Sequence, residues 1–232
     1  MGYRDAAMLL SIVAVVITLW ASMKVKLTFN KYNKVGSMSG ITSQEAAARI
    51  LQGAGIYDVT IDHINGNLTD HYSPNEKVLR LSDSVMGSTS IAAISVAAHE
   101  CGHAIQNKEG YGPLSLRSFS VPVANIGSKL SWPIIVIGLA IEKLNIVYVG
   151  LALFLFVIFF QLITLPVEFN ASGRALTILE STGMLADGEM KGARKVLTAA
   201  ALTYVAALAS SIIQVLRILL IISGGGGKRR RR

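Results

Sequence analysis

The chain contains 232 residues, of which 52% are hydrophobic and 16% are charged. Typical soluble domains are about 45–50% apolar and about 25% charged, so this composition argues against an ordinary soluble enzyme. The formal net charge is +8, and five positive charges lie in the tail at 228–232. Outside the tail we find no basic face with interleaved aromatic residues, so we expect no nucleic-acid partner. The single cysteine, Cys101, excludes an intramolecular disulfide.

Four long apolar stretches predict a membrane protein, and they lie at 6–23, 123–141, 144–167 and 196–216, with a short continuation to 222. About 20 apolar residues cross the hydrocarbon core of a bilayer as a helix, so we predict four transmembrane helices. The middle two are predicted to form a hairpin whose turn contains Glu142, Lys143 and Asn145. The alternatives are a cleaved signal peptide for the first stretch and, because Gln214 and Arg217 share a face, a surface-lying helix for the last.

The segment between the first two apolar stretches has a mixed composition that predicts short helices and strands. Thr42 and Glu45 have the spacing of a capping box, and Gly53 and Gly55 are expected to end the helix that begins there. Strands are predicted at 57–62, 68–72 and 77–82, with a hairpin turn at Asn65-Gly66-Asn67 and a helix cap at Asp83 or Ser84.

The alanine-rich run 90–106 favours a helix, and it contains the pattern His-Glu-Cys-Gly-His at 99–103. Side chains four residues apart lie on one face of a helix, so His99 and His103 can bind one zinc ion together. Glu100 would then lie beside the metal, where it can accept a proton from the water that attacks a carbonyl carbon. Cys101 points to another side of the helix and is expected to pack in the core.

A catalytic zinc site usually has three protein ligands, so a third ligand has to come from elsewhere in the chain. Glu168 follows Pro166, and a helix that begins after this proline would place Glu168 in its first turn. Ser172 would share the face of Glu168 and could orient a ligand histidine. Alternative third ligands downstream are Glu180, Asp187 and Glu189.

Several runs of residues together resemble the membrane-bound neutral zinc metallopeptidases of the YugP type. These runs are Val96 to Gln106, Leu68 to Tyr72, Leu79 to Ser82, Leu116 to Ser118, Val121 to Asn125 and Leu165 to Ser172. The resemblance extends over about residues 36–182 and implies a zinc metallopeptidase with one Zn²⁺ ion per chain. It also implies that Glu168 is the third ligand.

The plan is also similar to that of the HtpX-like membrane proteases, in which a helical hairpin separates the H-E-x-x-H motif from an E-x-x-x-D pattern. This chain has Ser172 where that pattern has its aspartate. Within the same run, we expect Asn170 and Ser172 to contact and orient the ligands of the metal.

His71 and Tyr72 lie just ahead of the motif helix in the sequence. Zinc peptidases often use a histidine or a tyrosine to donate a hydrogen bond to the developing oxyanion. We therefore predict a catalytic role for His71 and consider Tyr72 as an alternative oxyanion donor. The other histidine upstream of the motif, His63, is interpreted as structural.

The expected fold is a mostly α-helical membrane protein with about four transmembrane helices and a small zincin-like α+β catalytic domain. The segments predicted along the chain are a membrane anchor at 1–25, the zincin-like domain at 26–120, a transmembrane hairpin at 121–167, a third-ligand helix and connection at 168–195, a last transmembrane helix at 196–222 and a Gly-rich basic tail at 223–232.

The sequence thus predicts a zinc-dependent metalloendopeptidase that acts on peptide or membrane-protein substrates at the lipid bilayer. An intramembrane site-2-type zinc protease and a non-catalytic membrane scaffold with a metal site are the alternatives. We expect a multi-pass protein of the plasma membrane. Its catalytic domain is predicted to face the cytoplasm, because lysines flank the first apolar stretch on the catalytic side.

Overall fold

The computed structural model describes residues 2–226, and it contains six helices and three strands in this range. The elements in chain order are α1 (Tyr3–Tyr32), α2 (Ser43–Gly53), β1 (Thr60–Ile64), β2 (His71–Ser73), β3 (Val78–Ser82), α3 (Ile91–Lys108), α4 (Gly112–Ala140), α5 (Leu144–Ser181) and α6 (Asp187–Gly226). The predicted fold class, mostly helical with a small sheet, is confirmed. Residues 227–232 of the predicted basic tail lie outside the described residues.

Four of the described helices, α1, α4, α5 and α6, are long and apolar enough to cross a membrane. This number agrees with the sequence prediction. Ile218 of α6 is almost fully buried in an apolar cluster with Ile135 and Val147. The end of α6 therefore packs against other helices, which argues against the alternative of a helix that lies alone on the membrane surface.

The chain divides into two compact units. The described part of the first unit consists of residues 2–22, 116–164 and 203–226, and the second consists of residues 23–115 and 165–202. In the first unit, α4 and α5 approach closely at two glycines. A Cβ atom on Gly138 would lie 2.8 Å from the backbone nitrogen of Val147, and one on Gly150 would lie 2.9 Å from the carbonyl oxygen of Ser131.

The turn between α4 and α5 consists of residues 141–143, with Glu142 at a positive φ of 54°. The predicted turn was two residues too long at its far end, since α5 begins at Leu144 and includes Asn145. The prediction that a new helix begins after Pro166 was also wrong. Helix α5 continues through this proline to Ser181, because a proline inside a helix removes one backbone hydrogen bond without necessarily ending the helix.

The sheet of the second unit has the strand order β1-β3-β2, in which β1 is parallel to β3 and β2 is antiparallel to β3. The hairpin predicted at Asn65-Gly66-Asn67 was therefore wrong. Gly66 instead exchanges hydrogen bonds with Asp83, just after β3. The central position belongs to β3 because it is the most apolar strand: Leu79 and Leu81 are completely buried.

The strand positions were predicted to within a few residues, whereas the residue that caps the start of α3 was predicted wrongly. Strand β1 begins at Thr60 rather than at Tyr57, whose side chain is 81% exposed. The cap of α3 is Ser90, whose Oγ accepts a hydrogen bond from the backbone nitrogen of Ala93. Asp83 cannot act as this cap, since its carboxylate accepts from Gly66 and pairs with His63.

Helix α2 begins as its capping box predicts. The side chain of Thr42 accepts from the backbone of Glu45, and the side chain of Glu45 accepts from the backbone of Thr42. Its buried face, which includes Ala46, Ala47 and Ile50, packs on α3 in the core of the second unit. This packing fixes α3, the helix that carries the H-E-x-x-H motif, from one side.

Candidate metal centre

The two histidines of the motif lie on one face of α3, as their spacing requires. The ring centroids of His99 and His103 are 4.7 Å apart, and the ring planes are nearly perpendicular. Both side chains are largely shielded from solvent within the second unit. The helix therefore presents two imidazole groups that point in the same direction.

Glu168 of α5 meets these two rings. Its Oε2 atom lies 3.3 Å from Nε2 of His99 and 3.6 Å from Nε2 of His103, and its side chain is only 3% exposed. One ligand atom from each of the three residues lies within 4.8 Å of the other two. Two histidines and one glutamate form a donor set that zinc accepts in catalytic sites, so these residues can hold the ion.

A chain of hydrogen bonds fixes the orientation of the amides behind His103. The guanidinium group of Arg174, which can only donate, donates to Oδ1 of Asn170 at 2.7 Å. The Nε2 atom of Gln106 donates to this same Oδ1 at 2.9 Å and to the carbonyl oxygen of Val167 at 2.8 Å. The remaining oxygen of Gln106 must therefore be the atom that faces the histidine.

This oxygen, Oε1 of Gln106, lies 3.0 Å from Nδ1 of His103. It can only accept, so Nδ1 carries the proton and a neutral ring has its lone pair on Nε2. That lone pair faces Oε2 of Glu168, which is itself an acceptor when ionised. Two acceptors 3.6 Å apart repel each other unless a proton or a metal ion binds both. The geometry of the residues thus fits a zinc ligand set.

The predicted supporting residues both lie at the cluster. The Oγ atom of Ser172 lies 3.1 Å from Nδ1 of His99, so Ser172 contacts one histidine of the cluster directly. Asn170 does not contact a histidine itself; its Oδ1 accepts a hydrogen bond from Gln106, which contacts His103. Gln106 was not singled out from the sequence, although it lies three residues after His103 and therefore on the same face of α3.

The close approach of α3 and α5 depends on Gly102. A Cβ atom at this position would lie 2.6 Å from the carbonyl oxygen of Ala171 and 3.1 Å from its Cα atom. Only a residue without a side chain fits against the backbone of α5 here.

Cys101, next to Gly102, is fully buried, and its Sγ contacts the carbonyl oxygen of Ala47 at 3.6 Å. Burial raises the pKa of this thiol, so it packs as a neutral group.

Glu100 points to the sheet side of α3. The backbone nitrogen of Tyr72 donates to its Oε2 at 3.0 Å, and the residue is only 8% exposed. Strand β2 thereby holds one oxygen of the carboxylate, whereas Oε1 has no hydrogen bond among the contacts described. A carboxylate held in this way can accept a proton on its second oxygen.

The phenol of Tyr72 lies over the next turn of α3, where its oxygen accepts a hydrogen bond from Nδ2 of Asn107 at 3.1 Å. Burial is the largest influence on this group and raises the pKa of Tyr72, so the hydroxyl keeps its proton. Asp70 fixes the start of β2, because its carboxylate accepts from the backbone nitrogen and the hydroxyl of Ser82. Neither Asn107 nor Asp70 was singled out in the sequence, since their contacts depend on the sheet.

His71 does not contact the cluster in the part of the chain that the structure describes. Its Nδ1 lies 3.0 Å from the carbonyl oxygen of Thr69, and its Nε2 lies 3.4 Å from the guanidinium group of Arg80. The catalytic role of His71 stays a prediction. His63 pairs with Asp83 at 2.6 Å, on an exposed side of the sheet.

The alternative third ligands lie elsewhere. Glu189 accepts hydrogen bonds from the backbone nitrogens of Met38 and Ala186. Glu180 is exposed near the end of α5, and Asp187 begins α6. Among the candidates named from the sequence, Glu168 is the acidic residue in the metal-binding group found in the described residues.

The sequence matches a family model described as "putative neutral zinc metallopeptidase" over residues 7–223. The chain belongs to this family. It is also 49% identical over 208 residues to a protein of Bacillus subtilis (strain 168) named "Putative membrane protease YugP", and the alignment covers 90% of this chain and 92% of that protein. No solved structure matches.

Membership of this family confirms the resemblance seen in the sequence. The match includes both halves of the cluster, α3 and α5, and all four candidate membrane spans in whole or in part. The roles of the individual residues stay predictions.

Replacing Gly102 with alanine should weaken zinc binding. The added methyl group would collide with the backbone of Ala171, so α5 and Glu168 have to move away from the histidines. We expect the zinc dissociation constant to rise at least tenfold, measured by competition with a chromophoric chelator. Gly173→Ala in α5 is the control, because a Cβ there meets nothing within 4 Å. Equal affinities for Gly102→Ala and the wild type would contradict this account of the helix contact.

Proposed function

We propose that this protein is a zinc-dependent metalloendopeptidase in which His99, His103 and Glu168 hold one Zn²⁺ ion per chain and Glu100 is the general base. The observation that carries the proposal is the convergence of these three ligand groups from α3 and α5. The hydrogen-bonded chain through Gln106 supports it, since it presents the Nε2 lone pair of His103 to Glu168.

In this proposal, Glu100 and Tyr72 have different roles in the hydrolysis of the peptide bond. Zinc, when bound, lowers the pKa of a water molecule and polarises the carbonyl group of the substrate. Glu100 accepts a proton from the water whose oxygen forms the new bond to the carbonyl carbon. It then returns this proton to the amide nitrogen as the C–N bond breaks. The backbone nitrogen of Tyr72, bonded to Oε2, holds the carboxylate in position during both transfers.

The hydroxyl group of Tyr72 is our choice for the oxyanion donor. Its oxygen accepts from Asn107, so its own proton is directed away from that contact and can be donated to the carbonyl oxygen as negative charge develops there. His71 has both ring nitrogens engaged by Thr69 and Arg80 and is the weaker candidate for this role.

The two alternative functions fit the contacts less well. An intramembrane protease carries its motif in a spanning helix, whereas α3 is not among the four candidate spans of the described chain. A structural zinc site is closed by four ligands, and the metal-binding group found in the described residues has three. The buried carboxylate of Glu100 beside this group also favours chemistry over a scaffold role.

Substitution of Glu100 should separate zinc binding from cleavage. In Glu100→Gln we expect a zinc-to-chain ratio near that of the wild type, because Glu100 is not a ligand, and a loss of peptide cleavage of at least about 10²-fold, because no base accepts the proton. Glu168→Gln should instead lower the zinc content, with the exposed Glu180→Gln as its control. The measurements are metal analysis and turnover of a quenched fluorescent peptide. Retained cleavage in zinc-loaded Glu100→Gln would overturn the mechanism.

Tyr72→Phe removes one hydroxyl group and leaves the backbone contact with Glu100 unchanged. If Tyr72 stabilises the oxyanion, kcat should fall roughly 10²-fold while KM changes little, since the lost interaction forms in the transition state. His71→Gln is the matched variant and should keep most of kcat. A large fall of kcat in His71→Gln with none in Tyr72→Phe would give the role to His71.

We propose further that the protein lies in the plasma membrane, that its substrates are peptides or membrane proteins, and that the metal-binding residues face the cytoplasm. The basic residues next to the apolar stretches support this orientation, because lysine and arginine accumulate on the cytoplasmic side. They include Lys24, Lys26, Lys191, Arg194 and Lys195.

Cysteine labelling in intact cells tests the orientation. In a Cys101→Ala background, an impermeant maleimide should leave Gln44→Cys unmodified and should modify Asn145→Cys; both positions are exposed. Gln44→Cys should become reactive after permeabilisation, which controls for accessibility. The reverse pattern of labelling would place the metal-binding residues outside the cell.

A further inference from the structure

A cavity of the second unit lies between α1 and α6. It has a volume of about 700 Å³, and we call it the basic groove. Five cationic side chains line it: Lys24, Lys31, Lys191, Arg194 and Lys195. The metal-binding residues belong to α3 and α5, so the basic groove is separate from them in the fold.

The spacing of the lining residues places them on two facing helix surfaces. On α1, Lys24, Thr28 and Lys31 follow one another by four and three residues, and on α6, Lys191 and Lys195 are four residues apart. Residues with this spacing share one face of a helix. The two faces meet near Gly192, where a Cβ atom would lie 2.8 Å from the ring of Tyr32.

Among the residues that the structure describes, no acidic side chain lines the basic groove. The ion pairs described for this chain include none with Lys31, Lys191, Arg194 or Lys195, and Lys31 instead lies 5.7 Å from the ring centre of Tyr32. The nearest acidic residues in sequence, at the start of α6, include Glu189, which accepts from the backbone of Met38 and Ala186.

The rest of the lining is apolar. Leu27 of α1 and Ala199 and Leu202 of α6 contribute to it. A free inorganic anion would use the cations and leave these apolar side chains in contact with water. An anionic amphiphile satisfies both parts, since its charge meets the lysines and its hydrocarbon covers the leucines.

The basic groove also lies where the chain leaves its apolar stretches. Lys24 is the first charged residue after the stretch 6–23, and Lys195 is the last one before the stretch 196–216. Positions of this kind lie at the level of lipid headgroups when the neighbouring helices span a bilayer.

We infer that the basic groove binds the phosphate headgroup of an anionic phospholipid, with the acyl chains against Leu27 and Leu202. The inference does not depend on peptidase activity. Lys191, Arg194 and Lys195 bind the phosphate from α6, and Lys31 binds it from α1.

The test uses the full-length protein in uncharged detergent micelles, titrated with dioctanoyl-phosphatidylglycerol, dioctanoyl-phosphatidylcholine or inorganic phosphate. We expect saturable binding of the phosphatidylglycerol, and an affinity for the phosphatidylcholine at least tenfold lower. The triple variant Lys191→Gln, Arg194→Gln, Lys195→Gln should weaken binding of the phosphatidylglycerol by roughly tenfold or more, since each basic side chain contributes to the attraction. Native mass spectrometry counts the bound lipid.

The control variant removes three charges outside the basic groove, with Lys26→Gln, Lys34→Gln and Arg49→Gln, and should bind like the wild type. An equal loss in the control would show diffuse surface charge, and equal affinity for phosphatidylcholine would show binding without charge recognition. Displacement by an equal concentration of inorganic phosphate would show a free-phosphate site. Each of these results would overturn the inference. If the triple variant loses helicity, Arg194→Gln alone is titrated, and unchanged affinity would likewise overturn it.

Discussion

The backbone contact between Gly102 and Ala171 is the constraint on which the candidate metal centre depends. It lets α3 and α5 approach closely at this point, and both Glu168, three residues before Ala171, and Ser172, directly after it, contact His99. A larger residue at position 102 would separate the ligand groups without changing any of them. The glycine inside the motif is therefore part of the centre, although it binds nothing.

The features that the sequence predicted well are those set by short-range spacing. The four-residue separation of His99 and His103, the capping box of Thr42 and the lengths of the apolar stretches each determine a local structure with little influence from the rest of the chain. The contact of Glu168 with the two histidines was also predicted, but one reason for this prediction was wrong. No new helix begins after Pro166, because α5 continues through this residue.

The features that were missed depend on partners distant in sequence. The turn residues 65–67 have the composition of a hairpin, yet β1 pairs in parallel with β3 because the burial of Leu79 and Leu81 makes β3 the central strand. The contact of Tyr72 with Glu100 follows from that sheet order. Gln106 was missed for another reason: its function requires an acceptor on α5, and a helical spacing alone does not identify this acceptor.

The series of hydrogen bonds from Arg174 to His103 has a fixed order of donors and acceptors. This order limits which residues can replace Asn170 and Gln106. Asn170 uses only its oxygen, so an aspartate could replace it and still accept both hydrogen bonds. Gln106 uses both ends of its amide, so a glutamate, although equal in size, would bring two oxygens together at Val167 or would lose the histidine. The two neighbouring amides therefore differ in what can replace them. Aspartate can replace Asn170, whereas glutamate cannot replace Gln106.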